Sequence, residues 1–206
     1  MKARGGAGPA SYHGSRYVVR VSVLERLNLP AAFPDPEAVA RRAAVAVVIG
    51  PEDELLFIRR AEREGDPWSG DMAFPGGREE PHDPSPRATA ERETFEEVGL
   101  DLAGARFLGA LPPMTSPLRL PTKSFGIHPY VFRLDAWPAL RTSEEVAALH
   151  RFGLHRMLAG EGRGEFTWRG HGVERVLPCV RLDGTFVWGL TLRVVDDLLE
   201  RLRAAT

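Results

Sequence analysis

GGREEPHDPSPRATAERETFEEVGL, residues Gly76 to Leu100, sets a glycine turn ahead of a short helix with three glutamates on one face. Ser85 followed by Pro86 has the chemistry of an N-cap with proline at the first helical position, and Gly99 after Val98 that of a helix stop. Asp83 followed by Pro84 is the other cap the residues allow. Either leaves about 13 to 15 helical residues, close to the globular average. With about 3.6 residues per turn, Glu93, Glu96 and Glu97 fall at i, i+3 and i+4, so their carboxylates converge within one turn.

Like charges so placed cost about 0.2 to 0.5 kcal/mol per pair on an isolated helix, and Arg92, four residues before Glu96, offsets only part of that. A bound cation removes the conflict. Carboxylate oxygens are hard ligands suited to Mg²⁺ or Mn²⁺, and magnesium is usually held by a few carboxylates together with water and substrate phosphate. The plainer reading is a solvated acidic face, the usual fate of such patches. The surroundings weigh against it. At roughly 6 to 7 percent per charged residue or glycine, Arg-Glu-x-x-Glu-Glu-x-Gly-apolar arises by chance in such a chain on the order of once in ten thousand. Gly76, Gly77 and Asp83 upstream lower that further.

Residues 77 to 100 resemble the Nudix box, the signature of the Nudix hydrolases: Gly, five residues, Glu, seven residues, then Arg-Glu-apolar-x-Glu-Glu-x-Gly-apolar. Gly77 matches the first glycine, Arg92 and Glu93 the Arg-Glu pair, Glu96 and Glu97 the later acids, Gly99 and Leu100 the end. Asp83 stands where the first acid belongs, with eight residues before Arg92 instead of seven, and Thr94 occupies an apolar position. Further segments are similar to the coenzyme A pyrophosphatase branch of the family. These are LLFIRR at Leu55 to Arg60, WSG at Trp68 to Gly70 and FPGG at Phe74 to Gly77, with EEVAALHRFGLHRML and FVWGLTLRVVDDLL later. Phe57, Arg60 and Trp68 depart from that branch's threonine, serine and histidine, and the Arg59 to Trp68 segment is about two residues longer. The resemblance covers roughly residues 40 to 203.

What it implies is an α/β fold, a mixed β-sheet sandwiched between α-helices. It implies metal ligation by Glu93, Glu96, Glu97 and Gly77, with Mg²⁺ or Mn²⁺ as cofactor. Glu93 and Glu96 would serve catalysis directly, and Arg92 would hold a glutamate in place without touching substrate. Glu145 is the candidate base, with Glu144 as fallback; TSEEV, from Thr142 to Val146, also reads as the capped first turn of a helix. The implied reaction is metal-dependent hydrolysis of a nucleoside diphosphate linked to another group. Coenzyme A and its acyl derivatives would give 3',5'-ADP and (acyl-)4'-phosphopantetheine. The rival substrates are ADP-ribose, NADH or a nucleotide sugar, and a non-catalytic nucleotide-binding Nudix domain is the rival class. Arg59 and Arg60 are candidates for phosphate, though strand alternation turns one of them away. Trp68 and Phe125 are candidates for stacking on a base, while aromatics more often join the core.

Composition fits without deciding. The chain has 206 residues, 43% hydrophobic, enough for one core, and residues 16 to 206 are expected to form a single domain after a loose tail at 1 to 15. A net charge of −1 provides no basic footprint for nucleic acid or anionic membrane. The longest apolar run, Ala43 to Ile49, is too short to span a bilayer. The tail lacks the apolar stretch of a secretory signal, and the lone Cys179 suits a reducing, cytoplasmic compartment. The expected partner is a small nucleotide-derived pyrophosphate, with no nucleic acid and no membrane; a homodimer is left open. His82 reads as a solvated loop residue, and no HExxH, Walker loop, GxSxG elbow or zinc-type cysteine cluster occurs.

Local pattern predicts a strand then a short helix within Tyr17 to Leu29, a helix around Pro36 to Arg42, and strands at Ala44 to Gly50 and Leu55 to Arg60. Strands at ARFLGAL and IHPYVFRL flank a Pro-rich loop from Leu111 to Lys123, and short strands with a polar helix lead to Val180. An amphipathic helix closes the chain, with Leu192, Val195, Leu198 and Leu199 on its apolar face.

Overall fold

The computed structural model describes residues 24–25, 27–35, 41–65, 68–115, 125–170 and 173–205. The expected tail at 1 to 15 and the expected strand from Tyr17 lie outside the described residues, as do residues 36–40.

Strand β1 (Arg41–Ile49) runs RRAAVAVVI and is fully buried over its second half. It carries Arg41 and Arg42, which local pattern assigned to a helix. The correction has a tertiary cause: β1 pairs parallel with β7 (Phe125–Arg133) over nine residues from Arg41↔Phe125 to Ile49↔Arg133, and a ladder of that length overrides local preference. Strand β2 (Glu54–Arg60) returns antiparallel beside β1, β3 (Met72–Ala73) pairs with β2, and β4 (Gly76–Arg78) pairs with β1. Helix α1 (Pro86–Val98) follows. Strands β5 (Arg106–Ala110) and β6 (Met114–Thr115) pair with β7, and β8 (Val146–Gly153) pairs with β2. These eight strands form one mixed sheet. After helix α2 (Leu154–Leu158), strands β9 (Arg163–Gly170), β10 (Val173–Leu182) and β11 (Thr185–Trp188) form a second sheet, and helix α3 (Gly189–Ala204) ends the fold.

Alternation along β1 and β2 divides the core. Val47, Ile49, Leu55 and Phe57 join Leu192, Val195, Leu198 and Leu199 of α3 in one cluster. Ala46, Val48, Leu56 and Ile58 join Ala90 and Val98 of α1 in the other. At about 25 cal/mol per Å² of apolar surface, burial on both faces is what fixes the strand register. The layered α/β architecture is therefore the expected one.

TSEEV does not open a helix. Val146 to Gly153 form β8, in register with β2 from Glu54↔Gly153 to Arg60↔Val146, and only Leu154–Leu158 are helical. TSEEV is a turn leading into that strand, so the capping role for Glu145 falls away.

Candidate active site

Helix α1 begins and ends where its caps predict. The Ser85 side chain accepts the Ala88 N–H at 3.2 Å, and Gly99, at φ 67°, closes the helix with its N–H on the Phe95 carbonyl at 2.9 Å. Thr94, the departure at an apolar position, is fully buried and donates its hydroxyl to the Ala90 carbonyl at 2.6 Å. A satisfied hydroxyl of near-valine shape fits where an aliphatic is usual.

The glycine turn brings the sheet to this helix. Phe74 stacks on Phe57 at 4.7 Å between centroids, anchoring the turn in the core. Gly76 has φ 149°, and a Cβ there would overlap the Ala44 carbonyl, so only glycine lets β4 lie against β1. Its N–H donates to Glu97 Oε2 at 2.9 Å. A Cβ on Gly77 would overlap the Glu93 carboxylate. Gly76 thus lets β4 reach β1, and Gly77 leaves room for a glutamate.

The three glutamates are not equivalent. Glu97 is 4% exposed, whereas the Glu96 side chain is 56% exposed. Burial pushes the Glu97 carboxyl up to about 7, against the pull of the Gly76 N–H, and the Glu93 charge pushes the same way as burial. Burial also raises Glu93, with the Arg92 guanidinium opposing. A carboxyl kept poor in charge by its surroundings invites a compensating cation.

Arg92 organises the group. Its Nε and Nη2 donate to the two Asp83 oxygens at 3.0 Å each, Nη2 also to Glu93 Oε1 and the Arg78 carbonyl at 3.1 Å, and Nη1 to Glu96 Oε2 at 3.1 Å. Asp83 accepts further bonds from the Thr89 hydroxyl at 3.0 Å and the Glu80 N–H at 2.9 Å, and Arg92 holds its carboxyl far below the ordinary range. The displaced acid of the box is thus the anchor of Arg92.

Glu145 lies at the edge of the same group. Its carboxylate is 3.1 Å from Arg63 Nη1, its charge acts on both Glu93 and Glu97, and the Ser143 N–H donates to the Glu97 carbonyl at 2.9 Å. Arg60 acts on Glu97 from the sheet, while Arg59 is exposed and 3.8 Å from Glu62. Arg60 thus lies toward the buried glutamate and Arg59 toward solvent. Trp68 is 39% exposed, so it is not a core residue. The backbone of Phe125 opens β7, and its side chain lies outside the described residues.

The model of the NUDIX domain matches residues 39–167. The "Uncharacterized Nudix hydrolase NudL" of Yersinia pestis (strain Pestoides F) is 32% identical over 168 residues, 80% of this chain and 81% of that protein. The chain belongs to the Nudix hydrolases. Its activity class is therefore pyrophosphate hydrolysis. Two solved structures share the fold. The NUDIX domain of Shewanella oneidensis NrtR, complexed with ADP ribose, aligns at TM-score 0.53 with 16% identity, covering 82% of this chain and 94% of that one. The bifunctional NMN adenylyltransferase/ADP ribose pyrophosphatase of Francisella tularensis, complexed with AMP and a manganese ion, aligns at TM-score 0.53 with 18% identity. That alignment covers 87% of this chain, which spans 46% of the two-activity protein.

The Nudix box sits beside a junction that the separate motifs did not reveal. The Trp188 indole N–H donates to Asp71 Oδ1 at 3.1 Å, and the Thr191 hydroxyl to the Met72 carbonyl at 3.1 Å. The WGLT segment and the WSGDMAFPGG segment, more than a hundred residues apart, thus join one another and support the glycine turn from the α3 side. Trp188 and Thr191 lie in one of the quoted motifs, while Asp71 and Met72 fall between WSG and FPGG; no spacing rule could have paired them. No helix among the described residues is long and apolar enough to cross a membrane.

Proposed function

We propose that this Nudix hydrolase cleaves the pyrophosphate bond of coenzyme A or its acyl derivatives, giving 3',5'-ADP and (acyl-)4'-phosphopantetheine. The observation that carries the choice is the Trp188–Asp71 and Thr191–Met72 junction. Two segments similar to the coenzyme A branch serve one structural purpose here, which separate chance matches would not do.

Among the described residues no three acidic, histidine or cysteine side chains are drawn up as a closed metal cage. Arg92 instead spans Glu93 and Glu96. The donor set still fits a hard divalent ion, since Glu93, Glu96, Glu97 and the backbone of Gly77 offer oxygens and no softer atom. Buried Glu97 would be relieved of its desolvation cost by such an ion. Glu93, Glu96, Glu97 and Gly77 would hold Mg²⁺ or Mn²⁺. When bound, the ion neutralises phosphate charge and acidifies water for attack on phosphorus.

The chain's own residues do the rest. Arg92, fixed by Asp83, sets the positions of Glu93 and Glu96 and is a positioning residue. Glu145, steered by Arg63, accepts a proton from the attacking water as the new phosphorus–oxygen bond forms and the anhydride oxygen leaves with the other phosphate. Arg60 meets phosphate charge from the sheet, and exposed Trp68 stacks on the adenine. Phosphate release from coenzyme A, ADP-ribose, NADH and diadenosine polyphosphates, with Mg²⁺ or Mn²⁺, tests the reading. The expected result is the highest kcat/KM for coenzyme A or an acyl form. Equal or reversed preference would move the assignment to a nucleotide sugar or related pyrophosphate.

A further inference from the structure

Strand β9 is an edge of the three-stranded sheet, and among the described residues nothing pairs with its outer side. The direction of its backbone groups follows from the ladder. The Arg181 N–H donates to the Gly162 carbonyl at 2.8 Å, so residue 181 of β10 faces β9. Backbone groups alternate sides along a strand, and the β9–β10 register runs unbroken from Val173↔Gly170 to Val180↔Arg163. Odd residues of β10 therefore bond β9 through its even residues, Gly164, Phe166 and Trp168. Pro178, which has no N–H to give, falls on the side facing away from β9. Glu165, Thr167 and Arg169 turn their N–H and C=O groups to the open edge. Among the described residues only the Glu165 carbonyl has a partner there, the Arg181 guanidinium at 3.2 Å.

An open edge pairs with another strand, and the side chains decide which. A second copy of β9 can add antiparallel about a two-fold axis only with outward groups against outward groups. Centring on Thr167 sets Glu165 of each copy opposite Arg169 of the other. Centring on Glu165 or on Arg169 sets like charges face to face, and centring on Phe166 sets Arg163 against Arg169. Centring on Gly164 also sets Arg163 opposite Glu165, but it overlaps β9 only from 163 to 165 instead of from 164 to 170, and Arg163 is already paired with Asp196, so the Thr167-centred register is the favoured one. Among the described residues the Glu165 carboxylate makes no ion pair, while Arg169 meets only Glu174 beside it on β10. Val176, 63% exposed, lies opposite Thr167 on β10. The Thr167-centred register would gather both copies' Val176 and Thr167 side chains into one stripe across a continuous six-stranded sheet.

We infer that the protein forms a two-fold dimer by antiparallel pairing of β9 with β9 of a second copy, centred on Thr167 with Glu165 opposite Arg169. This goes beyond the proposed activity and stands whatever the substrate. Sedimentation velocity of the full chain across concentration should show a monomer–dimer equilibrium. Thr167→Pro removes only an outward N–H, so the hairpin keeps its ladder and its melting temperature while the dimer is lost. Glu165→Arg and Arg169→Glu, each alone, bring like charges together twice and should weaken the dimer by about tenfold or more. Mixed in equal amounts, the two variants face each other with opposite charges and should regain wild-type dimer strength to within about threefold. A wild-type chain that stays monomeric, a dimer indifferent to Thr167→Pro, or a mixture that recovers nothing would each overturn the inference. Coverage of this edge by another part of the chain would appear as the first of these.

Discussion

The carboxylate of Glu93 occupies the space in which a side chain on Gly77 would have to stand. The glycine is therefore there for its neighbour's sake. Gly77 has no positive φ, so alanine is tolerable to its own backbone, and the atoms it displaces end a flexible side chain. Gly77→Ala is expected to leave the melting temperature within a few degrees and to lower kcat by about 100-fold through a displaced glutamate. Circular dichroism melting alongside turnover checks both halves.

Arg92 meets Asp83 with two donors in a plane, which lysine cannot reproduce. Arg92→Lys should cost about 10- to 100-fold in kcat, and Asp83→Asn a similar factor. Because both act through the same guanidinium, the double variant should be little worse than either single one. Multiplying losses in the kinetic cycle would separate Asp83 from the positioning of Arg92.

Glu97 links pH to stability in the metal-free protein. Its folded carboxyl holds its proton up to about 7, above the ordinary 4.5 it has in the unfolded chain. The stability this group lends is therefore complete below pH 4.5 and drains away as pH rises to 7, an effect on the order of 3 kcal/mol. Glu97→Gln keeps the acceptor for Gly76 and removes the buried charge. The variant should melt higher than the metal-free wild type at pH 8 and yet lose at least about 100-fold in rate. Adding Mg²⁺ should raise the wild-type melting temperature at pH 8 and leave that of the variant nearly unchanged. Calorimetry with and without EDTA decides it; a variant no more stable than the wild type at pH 8 would argue against a strained Glu97.

Glu145 is now a residue of a turn, with no helix to cap. If it accepts the proton, Glu145→Gln should lower kcat and remove the acidic limb of the pH-rate profile. A variant retaining both would return the base to the box glutamates.

Trp188→Phe breaks the bond to Asp71 while keeping an aromatic against Phe166. A lost side-chain hydrogen bond of this sort is worth about 1 kcal/mol. The expected outcome is a melting temperature a few degrees lower and a fall in kcat/KM for coenzyme A larger than that for ADP-ribose. Equal falls would make the junction purely structural.

Helix α1 was legible because its signals are local: Ser85, Pro86 and Gly99 act within a turn of where they stand. Strand β8 was not, because Thr142 to Val146 carry the chemistry of a helix start, and only a ladder with β2 reveals otherwise. Helical spacing could bring Glu93, Glu96 and Glu97 to one face. It could not tell which carboxyl would be buried, since that depends on where β4 lies against β1. Asp83 could be read as a cap or as a shifted ligand; in the fold Ser85 is the cap, and Asp83 is bound to Arg92. The partnership of Trp188 with Asp71 needs the whole chain folded before it exists.

Two unrelated hydrophobic clusters line opposite sides of β1, and the same strand holds Gly76 opposite Val45. Were the β1–β4 pairing to slip by one residue, Gly76 would no longer meet Glu97, and a buried carboxylate would lose its backbone donor. A molecule misassembled in that way would be both unstable and inert, so the quality control that removes badly packed chains also removes chemically defective ones.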